Sequence, residues 1–188
     1  MNRPRRTVEG DKAAAVRTAF RVLVADRGLH GASMAAVAKE AGVATGTAYL
    51  YYPSKDELMF AAYIEAKHAL GTAALVHLDP DASPEQQFRR VWTGVYEHLA
   101  QDSTRPRFLV QIDSSPYAEQ AHDRVLAARL DDFSSGQISL EGFADLPPMV
   151  LYDLAIGPIL RLTAAERKIG ADEVERLIRA CWRAVTTD

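Results

Sequence analysis

SMAAVAKEAGVATGTAYLYYPSKDEL, residues 33–58, decides how this chain folds. Ser33 is a favourable N-cap, because its hydroxyl can accept from a free amide of the following turn. Residues 34–41 then predict a short helix with Val37, Ala38 and Ala41 on one apolar face, small enough for a second helix to cross closely. Gly42 supplies the left-handed residue that ends a helix, and Val43 is expected to tuck back into the core. Residues 44–51 predict a second helix with Thr45, Gly46, Thr47 and Leu50 facing outward. Glycine near the start of a helix is unfavourable; close approach to a DNA backbone or base edge would give Gly46 a reason. Two short helices around a tight turn are the layout of a helix-turn-helix, which sets its second helix in the major groove.

The residues from Tyr49 to Glu57 fit that layout. The hydroxyls of Tyr49 and Tyr51 can donate to phosphate oxygens, contacts that fix position rather than read sequence. Pro53 stops the helix, and Ser54 with Glu57 predicts a capping box opening the next one. Free amides there, helped by Lys55 and opposed by Asp56 and Glu57, offer a seat for a phosphate.

Ala41-Gly42-Val43, Gly46-Thr47, Tyr49, Tyr52-Pro53-Ser54-Lys55 and Glu57-Leu58 together resemble the DNA-binding domain of TetR-type transcriptional regulators. The resemblance implies a DNA-contacting set of Ser33, Thr45, Gly46, Thr47, Tyr49, Leu50, Tyr51 and Lys55. Departures are Ala48 for a larger aliphatic, Tyr52 for a core phenylalanine, Thr45 for lysine and Tyr51 for histidine. The last two fall on presumed DNA-facing positions and bear on the operator rather than the fold.

A chain of 188 residues, 48% hydrophobic and 25% charged, can bury a sizeable core and is neither disordered nor membrane-embedded in composition. The basic start, MNRPRRTVEG, lacks the apolar stretch of a secretory signal, and one cysteine, Cys181, excludes an internal disulfide; both suit the cytoplasm. Net charge is −3, but residues 1–60 hold nine Lys/Arg against six Asp/Glu, while the remainder is acidic. A basic head on an acidic body is the pattern of a nucleic-acid-binding domain joined to a different module.

The rest of the chain reads as all-α, about nine helices, with an arm and helix-turn-helix domain over 1–54 and a helical body over 55–188. Residues 1–9 read as a basic arm, and 11–27 as a first helix carrying Val16, Phe20, Leu23 and Val24, ended by Gly28. A long helix from Lys55 belongs to both halves and so becomes the expected mechanical link. Ser83, Pro84 and Gln86 start the next; a short helix spans 107–112, and Ser115-Pro116 opens another long one reaching Phe133. Pro147-Pro148 begins a helix that Pro158 should bend, and residues 172–185 form the last.

For that body the resemblance implies a ligand pocket and a dimer built on the last two helices. Lining candidates are Trp92, Tyr96, Phe108, Gln111, Tyr117, His122 and Phe133, whose aromatic character points to a hydrophobic or aromatic effector. Ile156 and Leu160 lie off the apolar stripe of one helix and Ala180 and Ala184 off that of the other; Gly157 permits close approach, and together these are the expected dimer contacts. Partners are thus a double-stranded DNA operator, a small-molecule effector and a second copy of the chain, with no membrane. No cofactor or metal is expected: His30, His68, His77, His98 and His122 lack paired metal spacing, and no nucleophile elbow or phosphate loop signals an enzyme. The competing reading is a helical ligand-binding or protein-interaction module whose head does not read DNA.

Overall fold

In the computed structural model, which describes residues 5–79, 81–128 and 142–187 (side chains from residue 11 onward), the helix signals become ten helices. The head is α1 (Arg5–Gly31), α2 (Met34–Glu40) and α3 (Thr45–Tyr51). The body is α4 (Lys55–Leu75), α5 (Pro84–Ala100), α6 (Thr104–Asp113), α7 (Ala118–Ala127), α8 (Pro148–Ala155), α9 (Gly157–Ala164) and α10 (Ala171–Val185). Among the described residues the one β interaction is an isolated bridge between Phe143 and Thr186.

Local chemistry sets these boundaries. Ser33 Oγ accepts from the Ala36 amide at 3.2 Å, and Ser83 with Gln86 forms a complete reciprocal capping box. At the end of α2, Gly42 takes φ 66°, and the amides of Gly42 and Val43 return to the carbonyls of Lys39 (3.2 Å) and Ala38 (2.9 Å). That pair of bonds is a Schellman motif, with Val43 packing half-buried on the core.

The expected boundaries shift in several places. Helix α1 begins at Arg5 rather than Asp11, so part of the anticipated arm is helical; residues 1–4 lie outside the described residues. Gly28, at φ 71°, breaks its helical path as expected, and one more turn follows. Ser54 accepts from the Glu57 amide at 3.1 Å, but Glu57 does not reach back: its carboxylate is taken by Arg124. The helix expected to bend at Pro158 is instead interrupted at Ile156, dividing it into α8 and α9. Proline lacks the amide that would continue the ladder and crowds the carbonyl four residues earlier. Helix α6 starts earlier than expected, at Thr104, and α7 later, at Ala118. Phe133 lies outside the described residues.

One continuous core runs from Val16 in the head to Val185 in the last helix. Helices α4 and α5 cross so closely that a Cβ on Gly94 would stand 2.2 Å from the Ala73 carbonyl oxygen. The head also meets the body directly: Phe20 of α1 sets its ring edge-on to Phe108 of α6 at 6.2 Å. The link between halves is therefore α1 as well as α4, where the sequence pointed to α4 alone.

Candidate functional sites

The outer face of α3 has no partner among the described residues. Leu50 is 84% exposed and Tyr49 48%, with Thr45 and Gly46 exposed beside them and Thr47 half-buried. Ala48 alone on this helix is buried, in the core of the head. Ala44 caps α3 with no side-chain hydrogen bond, and a Cβ on Gly46 would meet nothing within 4 Å. The protein's own packing thus gives no reason for that glycine. Tyr51 packs half-buried on the core, and Tyr52 is buried as expected of a core substitute: it accepts from Arg17 at 2.5 Å and donates to the Ala13 carbonyl at 3.3 Å. Ser33 stays exposed beside its capping bond. Lys55 is half-buried and donates to the Leu29 carbonyl at the broken end of α1, so its ammonium is partly engaged within the head.

Polar ties join this head to the body. Glu65 of α4 accepts from Arg17 at 2.9 Å and also pairs with Arg21, both from α1. Burial pushes the Glu65 carboxyl up, but the hydrogen bond from Arg17 and the charge of Arg21 outweigh it and hold it below the ordinary range. Arg124 of α7 grips Glu57 with two bonds of 2.9 and 3.0 Å and lies over the Phe60 ring at 4.2 Å.

In the body, the pocket candidates do not converge. Phe108 closes the head–body contact, and Trp92 is 1% exposed and stacks on Tyr96 at 5.7 Å. Tyr117 sets its edge to Phe60, and Gln111 is exposed beside Gly28. A cleft of about 370 Å³ does open between α1, α4 and the α5–α6 corner, lined by Val22, Ala66, Ala69 and Leu109, but of the described candidates only Phe108 reaches it.

His122 is the exception, because it belongs to a buried polar group that sequence reasoning otherwise missed. Tyr63 donates to Asp113 Oδ1 at 2.6 Å, and its oxygen is 2.7 Å from His122 Nε2. The phenol has one proton and the carboxylate accepts it, so His122 Nε2–H donates to Tyr63. Above them the Lys67 ammonium lies 3.7 Å from the centre of the Tyr152 ring and 5.6 Å from that of Tyr63. Lys67 is half-buried, and desolvation brings its pKa down to about 8 against the opposing charges of Asp113 and Asp153. Burial and the Lys67 charge likewise hold His122 below its ordinary value. The Tyr152 hydroxyl is buried and has no hydrogen-bond partner among the described residues. The available signal was Lys67 itself, four residues after Tyr63 and three before Leu70 on the apolar stripe of α4.

The expected dimer contacts need correction. Ile156 and Leu160 are 6% and 3% exposed and point into the protomer's own core, because the break at Ile156 rotates α9 relative to α8. The apolar residues that face out are Leu146, Met149, Val150 and Leu154, each 37–40% exposed, although helical spacing gives Leu154 an inward position. On α10, Ala180 and Ala184 are exposed, as a contact face requires, and Gly157 is half-buried with open space around it. No described helix is long and apolar enough to cross a membrane.

Comparison with known proteins covers both halves. Residues 16–62 match the family described as bacterial regulatory proteins, tetR family, and residues 84–186 match the tetracyclin repressor-like C-terminal domain. The chain is 28% identical over 188 residues to an uncharacterized HTH-type transcriptional regulator of Haemophilus influenzae, covering 96% of this chain and 98% of that one. It superposes on a TetR-family transcriptional regulator from Haemophilus influenzae Rd with TM-score 0.74 at 25% identity, covering 96% and 99% of the two chains. A TetR family transcription regulator from Marinobacter aquaeolei VT8 gives TM-score 0.75 over 97% and 100%; at 21% identity that likeness speaks to fold.

Proposed function

Because the chain belongs to the TetR family of bacterial transcriptional regulators, we propose that it is a dimeric repressor that leaves a palindromic operator when a small molecule binds its body. The observation that carries this reading is the unpartnered face of α3, where a leucine stands 84% in water among hydroxyl and glycine positions. Apolar contact with a thymine methyl suits Leu50, hydroxyls of Thr45, Thr47, Tyr49 and Ser33 suit phosphates or base edges, and Gly46 admits the duplex backbone. Dimerisation through Met149, Val150 and Leu154 of α8 with Ala180 and Ala184 of α10 would hold two heads for half-sites about one helical turn apart.

Release follows from differential affinity. A ligand that favours a body with α7 moved relative to α4 pulls on the Arg124–Glu57 pair, which sits at the first turn after the helix-turn-helix. Arg17 and Arg21 carry the displacement from Glu65 into α1. The ligand need only bind one head spacing better than the other to shift the population.

Titrating a duplex from the region upstream of the protein's own gene against a scrambled duplex, over rising salt, tests the reading. A specific reader keeps a preference of about 1,000-fold or more while both affinities fall with salt. Equal binding to both duplexes at every salt would leave only the non-reading module. Leu154→Lys should yield monomers by sedimentation; an unchanged dimer would move the interface elsewhere.

A further inference from the structure

We propose that Tyr52 is the positioning residue of α3: its hydroxyl, joined through Arg17 to Glu65, fixes the pose of the DNA-facing helix to α4 of the body. The inference rests on the proposed function, DNA reading by α3, and names the contact that sets the angle of that helix. Helix α3 has little else to hold it. It is seven residues long, buries only Ala48, and starts at Ala44 without a side-chain cap. At its far end the Tyr52 amide donates to the Ala48 carbonyl at 3.0 Å, and Pro53 keeps the Tyr52 backbone extended (φ −134°, ψ 102°). The direction of the Tyr52 side chain and that of α3 are therefore tied together.

The hydroxyl supplies what a ring alone does not. A phenyl group would fill the same buried space, whereas a phenol adds a polar atom whose burial is costly unless it is bonded in a set direction. Tyr52 bonds twice, accepting from Arg17 Nη1 at 2.5 Å and donating to the Ala13 carbonyl one turn earlier on α1 at 3.3 Å. Arg17 turns its other terminal nitrogen, Nη2, to Glu65 Oε1 at 2.9 Å, and Arg21 donates to Oε2. A guanidinium is a flat fork, so its bonds to Tyr52 and Glu65 fix each other's direction. The Arg17 Nε is buried with no partner among the described residues, which leaves the fork committed to those two groups. Glu65 lies about 15 Å along α4 from the start of that helix at Lys55. The pose of α3 thus answers to a point well inside the body, by a path separate from the backbone that joins α3 to α4.

The test follows hydrogen exchange of the full chain, without DNA, in Tyr52→Phe, Glu65→Gln and the double variant. Each single change should speed exchange across residues 45–52 about tenfold, and the double variant should match the faster single one. Arg89→Gln, which breaks the ion pair between α5 and α10, should leave those residues unaffected. A merely structural Glu65 would loosen α1 and α4 beside it and not α3. In titrations Tyr52→Phe should cut the preference for the upstream duplex over the scrambled one about tenfold, with scrambled binding unchanged. The proposal is overturned if α3 exchange is unchanged in either single variant, if the two effects multiply in the double variant, or if Tyr52→Phe keeps the parent's preference. A parent protein without any preference sinks the DNA reading alone, because exchange in α3 still decides whether Tyr52 ties it to Glu65.

Discussion

The head and the body each hold a glycine in a helix, for opposite reasons. At Gly46 an added methyl would meet nothing, whereas at Gly94 it would overlap the carbonyl oxygen of Ala73 at 2.2 Å. Each half also holds residues on the wrong side of the usual sorting, and one in each is telling. Leu50 stands in water in the head, and Lys67 is half-buried against aromatic rings in the body. The head departs from good folding practice where it faces out; the body does so on the outer face of α8 and again, at Lys67, among its packed helices. A departure at a surface points to a partner from outside; in the interior, Gly94 reflects close packing and Lys67 a cation set over aromatic rings.

Gly94→Ala is the harshest way to probe this contrast. The clash is with backbone, which no rotamer change relieves, so α4 and α5 must separate. A loss of about 3 kcal/mol is expected, at the upper end for overpacking, seen as a fall of ~10 °C in melting temperature. A variant that melts with the parent protein would mean that the helices slide apart freely and that the body is looser than its contacts imply.

Leu50→Asp examines the opposite face. A side chain this exposed adds little to stability, so melting should move by no more than about 0.5 kcal/mol. Operator binding should fall by about 100-fold, because a base contact is lost and a carboxylate is placed among phosphates. If affinity holds, Leu50 does not face the duplex and the head binds by another surface.

Lys67 sharpens the contrast through pH. Its folded pKa, about 8, lies below the ordinary lysine value, so between pH 8 and 10 the unfolded chain binds more protons than the folded one. Stability contributed by this residue therefore rises with pH across that window. Above it Tyr63 and Tyr152, both held above the ordinary phenol value by burial, act in the other direction, because the unfolded chain ionises first. His122, held below its ordinary value, is neutral throughout the window; Asp113 and Asp153 are the remaining charged groups that face Lys67. Lys67→Met should be more stable at pH 7 by about 2 kcal/mol, with the gap narrowing towards pH 10. A gap that is constant with pH would mean the ammonium is well solvated.

The two halves differ as well in how much the sequence disclosed. The head is encoded locally: Ser33, Gly42, Pro53 and Ser54 act on amides and carbonyls a few residues away, so their roles are legible without any tertiary structure. The body depends on encounters between distant residues. Glu57 has the spacing of a reciprocal cap, but a guanidinium 67 residues away takes its carboxylate. A continuous helix would put Ile156 and Leu160 outside, and the interruption before Pro158 turns them inward. Aromatic character singles out most of the pocket candidates, yet Phe108 and Tyr117 close contacts between helices, and Trp92 and Tyr96 stack on each other within α5. Lys67 escapes such a reading because helical periodicity counts apolar positions and has no rule for a charge among them.

Gly46→Ala is the mildest of the probes and separates the two meanings of a helical glycine. Alanine is the better helix former by up to about 1 kcal/mol, less near a helix end, and here the methyl has room. The variant should therefore be as stable as the parent or slightly more so. If the position is kept bare for the duplex, the same methyl should weaken operator binding by about tenfold. It adds no charge, so the slope of affinity against salt should not change. Stability gained with affinity lost would show a residue held below its folding optimum for the sake of contact. Stability gained with affinity unchanged would return Gly46 to the ordinary surface and leave Leu50 as the principal marker of the DNA face.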